Sequence, residues 1–415
     1  MGDRIEVPLA LTYFEVTGSE LVEGVLEVGV VSTFRAVCGH CGAANVTGHG
    51  RCQRRIRDQS HGYPTVLVWD QRRYKCRDCG RTSRERHPET LGAKRVTRRF
   101  RLRLAEAACD EPLSQVAARE RVSWWRVADA FDQIAEMMTG PVGPAPRVVS
   151  LDEASFKRGF GYHTVLSAPE QRRILDLVPG RSLRSAHQLL TGLPSGWDET
   201  IETAVIDMFW PFRRAIEQTL PGVRIVVDKF HVIRAVSHAS TRVRIRNSRR
   251  REISTGRQGS GFYRRNPRFD PFARRHRWLF LKRHDRLTGP ERDRLTEWFS
   301  DSPETGVAWL LKETFGEIYA ARDRDEATAR YDQWAFHVAQ AGISELSGVV
   351  RTLEAWKPLI LNYFDDPQTN GYAEGITNKI KVLKRRGYGY RHPDRYRAKI
   401  LAQNRHRPTK PPPIA

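Results

Sequence analysis

Val148-Val149-Ser150-Leu151-Asp152, Thr203-Ala204-Val205-Ile206-Asp207 and Arg224-Ile225-Val226-Val227-Asp228 share one pattern, a short apolar run that stops at an aspartate. Unbroken apolar runs of this length fit strands buried on both faces of an α/β sheet, not the alternation of a half-exposed strand. Around them, Tyr162-His163-Thr164-Val165-Leu166-Ser167 and Arg172-Arg173-Ile174-Leu175-Asp176-Leu177-Val178 read as hairpin-linked strands. Helical segments cover 182–193 and 211–220, the second opened by Pro211. The element order is βββαβαβ.

Open α/β sheets bind ligands beyond the carboxyl ends of their strands. One aspartate at such an end is commonly a turn former. Asp152, Asp207 and Asp228 all hold that kind of position, which points to chemistry. Carboxylates crowded together repel unless a cation lies between them, so Mg2+ or Mn2+ is implied. Paired divalent ions activate the attacking oxygen and stabilise the leaving oxygen of a phosphodiester.

The 415 residues leave room for two or three domains. Lys and Arg number 70 against 48 acidic residues, a formal charge of +22, and 58 of the 70 are Arg. Guanidinium groups grip phosphate bidentately, so a polyanion, nucleic acid first, is the expected partner. Hydrophobic residues at 40% and charged residues at 28% exclude a wholly disordered chain. No apolar run has the roughly 18 residues of a membrane span, and the N-terminus lacks the order of a secretory signal. A cytoplasmic, nucleoid-associated protein is expected.

Four of the six cysteines form two matching knuckles, Cys38-Gly39-His40-Cys41-Gly42 and Cys76-Arg77-Asp78-Cys79-Gly80. Two residues between thiols let both sulfurs face one ion, the following glycine permits the turn, and two knuckles complete a tetrahedral structural Zn2+ site. His49 and Cys52 are alternative ligands, and Cys109 reads as a small buried apolar residue. Strand-like runs at 51–58, 65–69 and 71–75 make the zinc module a small β-rich unit whose basic residues face DNA. From residue 96 the texture becomes helical. Ser123 is placed to cap a helix starting at Trp124, after a short helix and the break Arg121-Val122-Ser123, as in a helix-turn-helix with Arg121 and Arg126 as DNA contacts.

Three runs carry a resemblance: Asp152-Glu153-Ala154-Ser155-Phe156-Lys157-Arg158-Gly159, Asp228-Lys229-Phe230-His231-Val232-Ile233-Arg234, and Asn370-Gly371-Tyr372-Ala373-Glu374-Gly375-Ile376-Thr377-Asn378-Lys379-Ile380-Lys381. Together with the knuckles and helix-turn-helix before them, they resemble the ISL3 family of insertion-sequence transposases over roughly residues 35–405. The resemblance implies a bacterial transposase with an RNase H-like core and an Asp-Asp-Glu triad. Such an enzyme binds the ends of its element, cuts them with divalent metal and joins the 3′-hydroxyls to target DNA. Asp152 and Glu374 match the first and last triad members. Asp228 lies in the most recognisable Asp-x-x-His run, but an RNase H-like sheet pairs the first strand with the fourth, and the fourth strand ends at Asp207. Asp207 is therefore preferred as the second member, with Asp228 as competitor and His231 as a supporting residue. Synapsis of two ends implies a homodimer. A zinc-containing DNA-binding regulator would not need the carboxylates, and an RNase H-like nuclease or resolvase would cut without strand transfer.

The 142 residues between His231 and Glu374 exceed a simple connection and predict a helical insertion whose aromatics are mostly core. Residues 242–277, dense in Arg and interrupted by Gly256, Gly259 and Gly261, read as a mobile DNA-clamping loop. On the helix carrying Glu374, the 3.6-residue turn puts Asn378, Lys381 and Arg385 on the glutamate's face, suited to a phosphodiester. The expected divisions are an N-terminal segment 1–34, zinc module 35–90, helix-turn-helix 96–139, linker 140–146, catalytic core 147–235 and 366–402, insertion 236–365, and disordered tail 403–415.

Overall fold

The structure, a computed structural model, describes residues 9–90, 94–137, 143–157, 161–254, 277–387 and 392–405. The chain forms two compact units, Met1–Thr139 with Lys384–Ala415, and Gly140–Leu383. Each contains a five-stranded sheet.

In the first unit, β1 (Phe14–Val22) and β2 (Val25–Ser32) form an antiparallel hairpin. Its two turn residues, Glu23 and Gly24, both have positive φ, the backbone twist that two-residue hairpins favour. β2 runs parallel to β4 (Tyr63–Cys76), β3 (Val46–His61) lies antiparallel on the other side of β4, and β5 (Thr82–Arg84) also pairs with β4. Residues 1–34 were expected to stand apart from the zinc module. Instead β1 and β2 complete its sheet, because the alternating Leu26, Val28 and Val30 find their cover with Ile56, Leu67 and Trp69. The strand runs expected at 65–69 and 71–75 are one strand.

Next come α1 (Arg98–Asp110), α2 (Leu113–Arg119) and α3 (Trp124–Met137). Thr97 caps α1 by accepting from Phe100 N and donates to buried Asp58 of β3, which also pairs with Arg99, so the sheet and the helices are tied at one point. Arg121, at φ +50°, turns the chain between α2 and α3, and Ser123 Oγ accepts from Arg126 N at the start of α3.

The second unit opens with β6 (Val148–Lys157), β7 (Gly161–Ala168), β8 (Arg173–Pro179), α4 (Leu183–Thr191), β9 (Thr203–Ile206), α5 (Trp210–Thr219) and β10 (Arg224–Val227). The sheet order is β10-β9-β6-β7-β8, with β6, β9 and β10 mutually parallel and β7 antiparallel to both neighbours. Every residue of β9 is buried, as expected of a strand covered on both faces. α4 packs on β7 and β8, and α5 on β9.

After β10 comes α6 (Lys229–Ser254). The clamping-loop reading of 242–277 is corrected for its first part, since residues 242–254 continue this helix. Ala239 and Val243 bury against the core, and Arg246 pairs with Glu304 and Glu345. Residues 255–276 of that loop lie outside the described residues, as do 140–142 of the linker. The chain continues through α7 (Arg277–Leu281), α8 (Gly289–Asp301), α9 (Pro303–Ile318), α10 (Arg324–Ala341), α11 (Ser344–Glu354) and α12 (Lys357–Leu361). These are not a separate core. Phe315, Tyr331, Trp334, Leu353 and Trp356 belong to the same apolar cluster as Val149, Leu151 and Ile206 of the sheet, and among the described residues a small group around Phe280, Trp298 and Trp309 is distinct.

Last are α13 (Gly371–Arg386) and α14 (Pro393–Arg405). Residues 393–402 were assigned to the catalytic core and 403–415 to a disordered tail. In the structure α14 runs through Arg405 and belongs to the first unit, where Ala398 and Ala402 bury with Phe100 and Phe131 and Arg395 grips Asp132 with two 2.7 Å bonds. Residues 406–415 lie outside the described residues. No helix among the described residues is long and apolar enough to cross a membrane.

Candidate active site and zinc centre

Parallel register brings the strand-end aspartates together. Leu151 pairs with Ile206, and Ile206 with Val227, so the residues that follow, Asp152, Asp207 and Asp228, stand side by side on three neighbouring strands. Asp152 lies within β6, and Asp207 and Asp228 directly follow β9 and β10. Asp228 N donates to Ile206 O at 2.9 Å, extending the ladder one step to fix that alignment.

His231 sits on the first turn of α6 beside both β9 and β10 aspartates. Its Nδ1 is 2.9 Å from Asp207 Oδ1 and 3.1 Å from Asp228 Oδ2. Contact with these two carboxylates, Asp207 first, pushes its pKa up to about 10, so the ring is an imidazolium at neutral pH. Only the Asp228 contact has hydrogen-bond geometry. Asp207 Oδ1 remains a buried carboxylate oxygen that no donor among the described residues reaches in good geometry. Asp152 is half-buried, and desolvation of its carboxyl, with the charge of Asp207 second, pushes it up to about 6. A buried carboxylate oxygen without a well-aligned donor, beside a second carboxylate whose ionisation is resisted, is a place a divalent cation fits.

The helix carrying Glu374 reaches this edge by steps that sequence reasoning did not assign. Asn362 Nδ2 donates to Ile225 O at 2.7 Å. Asp366 accepts from Thr203 Oγ1 at 2.7 Å and from Arg147 at 3.1 Å, at the start of the parallel strands. Buried Asn370 accepts from Ser150 Oγ, its own N–H donates to Asp228 Oδ1 at 3.3 Å, and its carbonyl accepts Glu374 N at 3.0 Å, the first helical bond of α13. One turn on, Thr377 Oγ1 donates to Asp152 Oδ2 at 2.9 Å. Segment 362–377 therefore climbs along the sheet from strand starts to strand ends. Thr377 follows Glu374 by three residues, so the two lie on adjoining faces of α13. A signal was present in the sequence: Thr377 is a polar residue at a buried helical position.

Glu374, Asn378 and Arg385 are exposed and Lys381 is half-buried on α13. In the first unit, Arg121 is exposed and Arg126 half-buried. Arg57 of β3 donates to Glu120 O at 3.0 Å, and its pKa is lowered by desolvation, the charge of Glu120 opposing this and those of Arg126 and Arg121 adding to it.

The four knuckle cysteines converge as expected. Cys38 and Cys79 sulfurs are 3.7 Å apart, as are those of Cys41 and Cys76, and all four lie within 4.8 Å of one another. These separations exclude a disulfide, whose sulfurs lie about 2 Å apart. They match the roughly 3.8 Å edge of a tetrahedron with Zn–S bonds of about 2.3 Å. Gly42 and Gly80 take positive φ after each second cysteine. Backbone donors from Cys41 and His40 lower the Cys38 thiol to about 6, favouring the thiolate a metal needs. His49 and Cys52 are not in the cluster, Cys52 contacting Gln71 instead, and Cys109 is buried.

A strand-order α/β sheet with aspartates aligned at one edge, preceded by a four-cysteine zinc ribbon, defines a class. Residues 149–400 match the family model described as a transposase of the ISL3 type, and residues 35–79 match the zinc-finger of transposase IS204/IS1001/IS1096/IS1165. The chain belongs to the ISL3 transposase family. It is 28% identical to the transposase for insertion sequence element IS1001 of Bordetella parapertussis over 373 residues, 88% of each chain. It is 24% identical over 277 residues to the transposase for insertion sequence element IS1557 of Mycobacterium tuberculosis, covering 64% of this chain and 62% of that one.

Proposed function

We propose that the chain is a DDE transposase that binds the ends of its own insertion sequence, cleaves them and joins the freed 3′-hydroxyls to target DNA. The sheet order, with an antiparallel hairpin trio beside two parallel strands, supports an RNase H-like core. Asp152, Asp207 and Glu374 are the triad in this reading, with Mg2+ or Mn2+ as the cofactor. The observation that carries it is the alignment of Asp152 with Asp207, together with the Thr377 bond that brings the Glu374 helix to Asp152. Divalent ions at such a site supply activation of the attacking oxygen and charge stabilisation at the leaving oxygen.

The chain's own groups have separable tasks. Asp207 and Asp152 offer carboxylate oxygens from rigid strands. Thr377 stabilises ionised Asp152 by donating to it. His231 balances Asp207 and Asp228, and Asn370 holds the start of α13 to the sheet. Asn378, Lys381 and Arg385 offer an amide and two cations for a phosphodiester at the Glu374 face. α1–α3 form a helix-turn-helix in which Arg121 and Arg126 contact duplex DNA. Two copies act together in synapsis.

Asp152→Ala and Glu374→Ala are the test, on DNA fragments carrying the ends of the element. Loss of several kcal/mol of ion-mediated stabilisation corresponds to a drop in cleavage of about a thousandfold or more. End binding by gel shift is expected to be unchanged. Cleavage persisting in both variants, or binding lost in both, overturns these roles.

A further inference from the structure

Helix α3 buries Val127, Ala128, Ala130 and Phe131 with Phe100 of α1 and Ala402 of α14. Its first turn does the opposite. Trp124 is 37% exposed and Trp125 71% exposed, so two indoles stand largely in water where the helix begins. One exposed apolar side chain needs no explanation of its own, but this one is held in place. The Trp125 ring meets that of Trp124 edge to face, with centroids 4.9 Å apart and planes at 87°. The Arg395 guanidinium of α14 lies 5.3 Å from the centre of the Trp124 ring. Arg395 is fixed in turn by two 2.7 Å bonds to Asp132, further along α3. A residue from the far end of the chain therefore holds the first indole, and the first indole orients the second.

The surroundings of the ring suit a polyanion. Arg121 is exposed on the turn before α3, and Arg126 follows Trp125 directly. The carboxylates nearest in sequence are each taken by a cation of the protein, Glu120 by Arg119 at 3.2 Å, Asp129 by Arg101 at 2.7 Å and Asp132 by Arg395. The indole itself is mostly apolar and suits an apolar partner. In the major groove of duplex DNA the apolar group on display is the C5-methyl of thymine.

We propose that Trp125 is a sequence-reading residue whose ring packs on the C5-methyl group of a thymine in the element end. The inference rests on the helix-turn-helix part of the proposed function, in which the first residues of the second helix lie against base edges. It adds what charge cannot supply. Cationic contacts to phosphate give affinity for any duplex, whereas a methyl contact distinguishes thymine from the other bases.

The test titrates the full-length, zinc-loaded chain with duplexes carrying the ends of the element, each thymine replaced in turn by deoxyuridine. That replacement deletes one methyl group and keeps the base pair. At one thymine or more, wild-type binding is expected to weaken about fourfold, the effect of burying one carbon fewer. At those positions Trp125→Ala should bind the two duplexes equally, and Trp125→Phe should keep a reduced difference. Both variants should retain the wild-type Tm, because the ring is mostly in water, and the wild-type log–log salt slope, because it carries no charge. A wild type that prefers its ends yet is indifferent to every methyl, or a Trp125→Ala variant with the wild-type methyl sensitivity, overturns the assignment and leaves the transposase reading intact. An altered sedimentation coefficient in Trp125→Ala with unchanged methyl sensitivity also overturns it, making the ring a contact between copies. A wild type that binds its ends no better than a duplex of arbitrary sequence defeats the end-binding reading itself, and the role of Trp125 falls with it.

Discussion

Strand β3 of the first unit reads Arg51-Cys52-Gln53-Arg54-Arg55-Ile56-Arg57-Asp58 and buries only Ile56 and Asp58 fully, whereas β9 of the second unit reads Thr203-Ala204-Val205-Ile206 and buries all four residues. β3 is an edge strand of its five-stranded sheet and β9 an inner strand of the other, and the stability of the two sheets has different sources. The second unit's sheet shares one apolar cluster with helices α4 to α6 and α9 to α12. The zinc-bearing sheet has a small cluster of its own around Trp69, and its knuckle end holds together around four thiols. Under the proposed function, metal is a structural component in one sheet and a chemical reagent in the other, so its removal is expected to cost the first its fold and the second only its reaction.

Cys79→Ser gives the largest effect expected of this contrast. Structural zinc contributes on the order of 10 kcal/mol to the folding of small modules. The variant should lose zinc by atomic absorption and expose β3–β5 to hydrogen exchange, while amides of β6, β9 and β10 keep their protection. If the catalytic sheet loses protection equally, the two sheets are not independent in the way their cores suggest.

Asp207→Asn and Asp228→Asn sharpen the comparison within the catalytic edge. Asp228 is buried at 4% exposure, accepts Asn370 N and His231 Nδ1, and precedes α6, so its job is largely to hold elements together. Removing its charge should lower Tm by a few degrees, about 1–2 kcal/mol for a chain of this size, and leave measurable cleavage. Asp207 is held by the charge of His231 alone, its Oδ1 having no donor in good hydrogen-bond geometry among the described residues, so Asp207→Asn should abolish cleavage with a smaller change in Tm. The reverse pattern, cleavage lost in Asp228→Asn and kept in Asp207→Asn, makes Asp228 the second triad member.

Much of this was written in the sequence because the signals were local. Apolar runs ending in Asp, two Cys-x-x-Cys knuckles and Ser123 before Trp124 each report on a few neighbouring residues, and the structure has strands, a thiol cluster and a helix start at those positions. What escaped depended on distant partners. β1 and β2 look like an unattached segment until Ile56 and Trp69 are seen to cover them. The Arg-rich stretch to Ser254 suggested a loop, but Val243 and the ion pairs of Arg246 hold it as helix. Helix α14 was placed with the catalytic core because it follows the Glu374 helix in sequence, whereas its Ala398 and Ala402 face Phe100 and Phe131. Asn370 and Thr377 were quoted as part of a run, but their roles depend on Ser150 and Asp152, more than 200 residues earlier.

Thr377→Val provides the finest test, because it removes one hydroxyl while keeping the shape of a buried helical residue. Burial, and then the charge of Asp207, already push Asp152 up to about 6, and the Thr377 hydroxyl opposes this by donating to the ionised carboxylate. A cation needs that carboxylate deprotonated, so in the metal-free full-length chain protons compete with Mn2+ below about pH 6 and cease to compete above it. The affinity measured by electron paramagnetic resonance should therefore rise with pH up to that point and then level off. Without the Thr377 donor the charged form of Asp152 loses a partner, its pKa rises further, and the levelling point moves to higher pH. At a fixed pH below that point, the lost charge-assisted bond, worth about 1.5 kcal/mol, weakens Mn2+ binding roughly tenfold. A levelling point that stays fixed or falls in Thr377→Val would show that the hydroxyl does not support the ionised carboxylate, and the contact would then be one of packing alone.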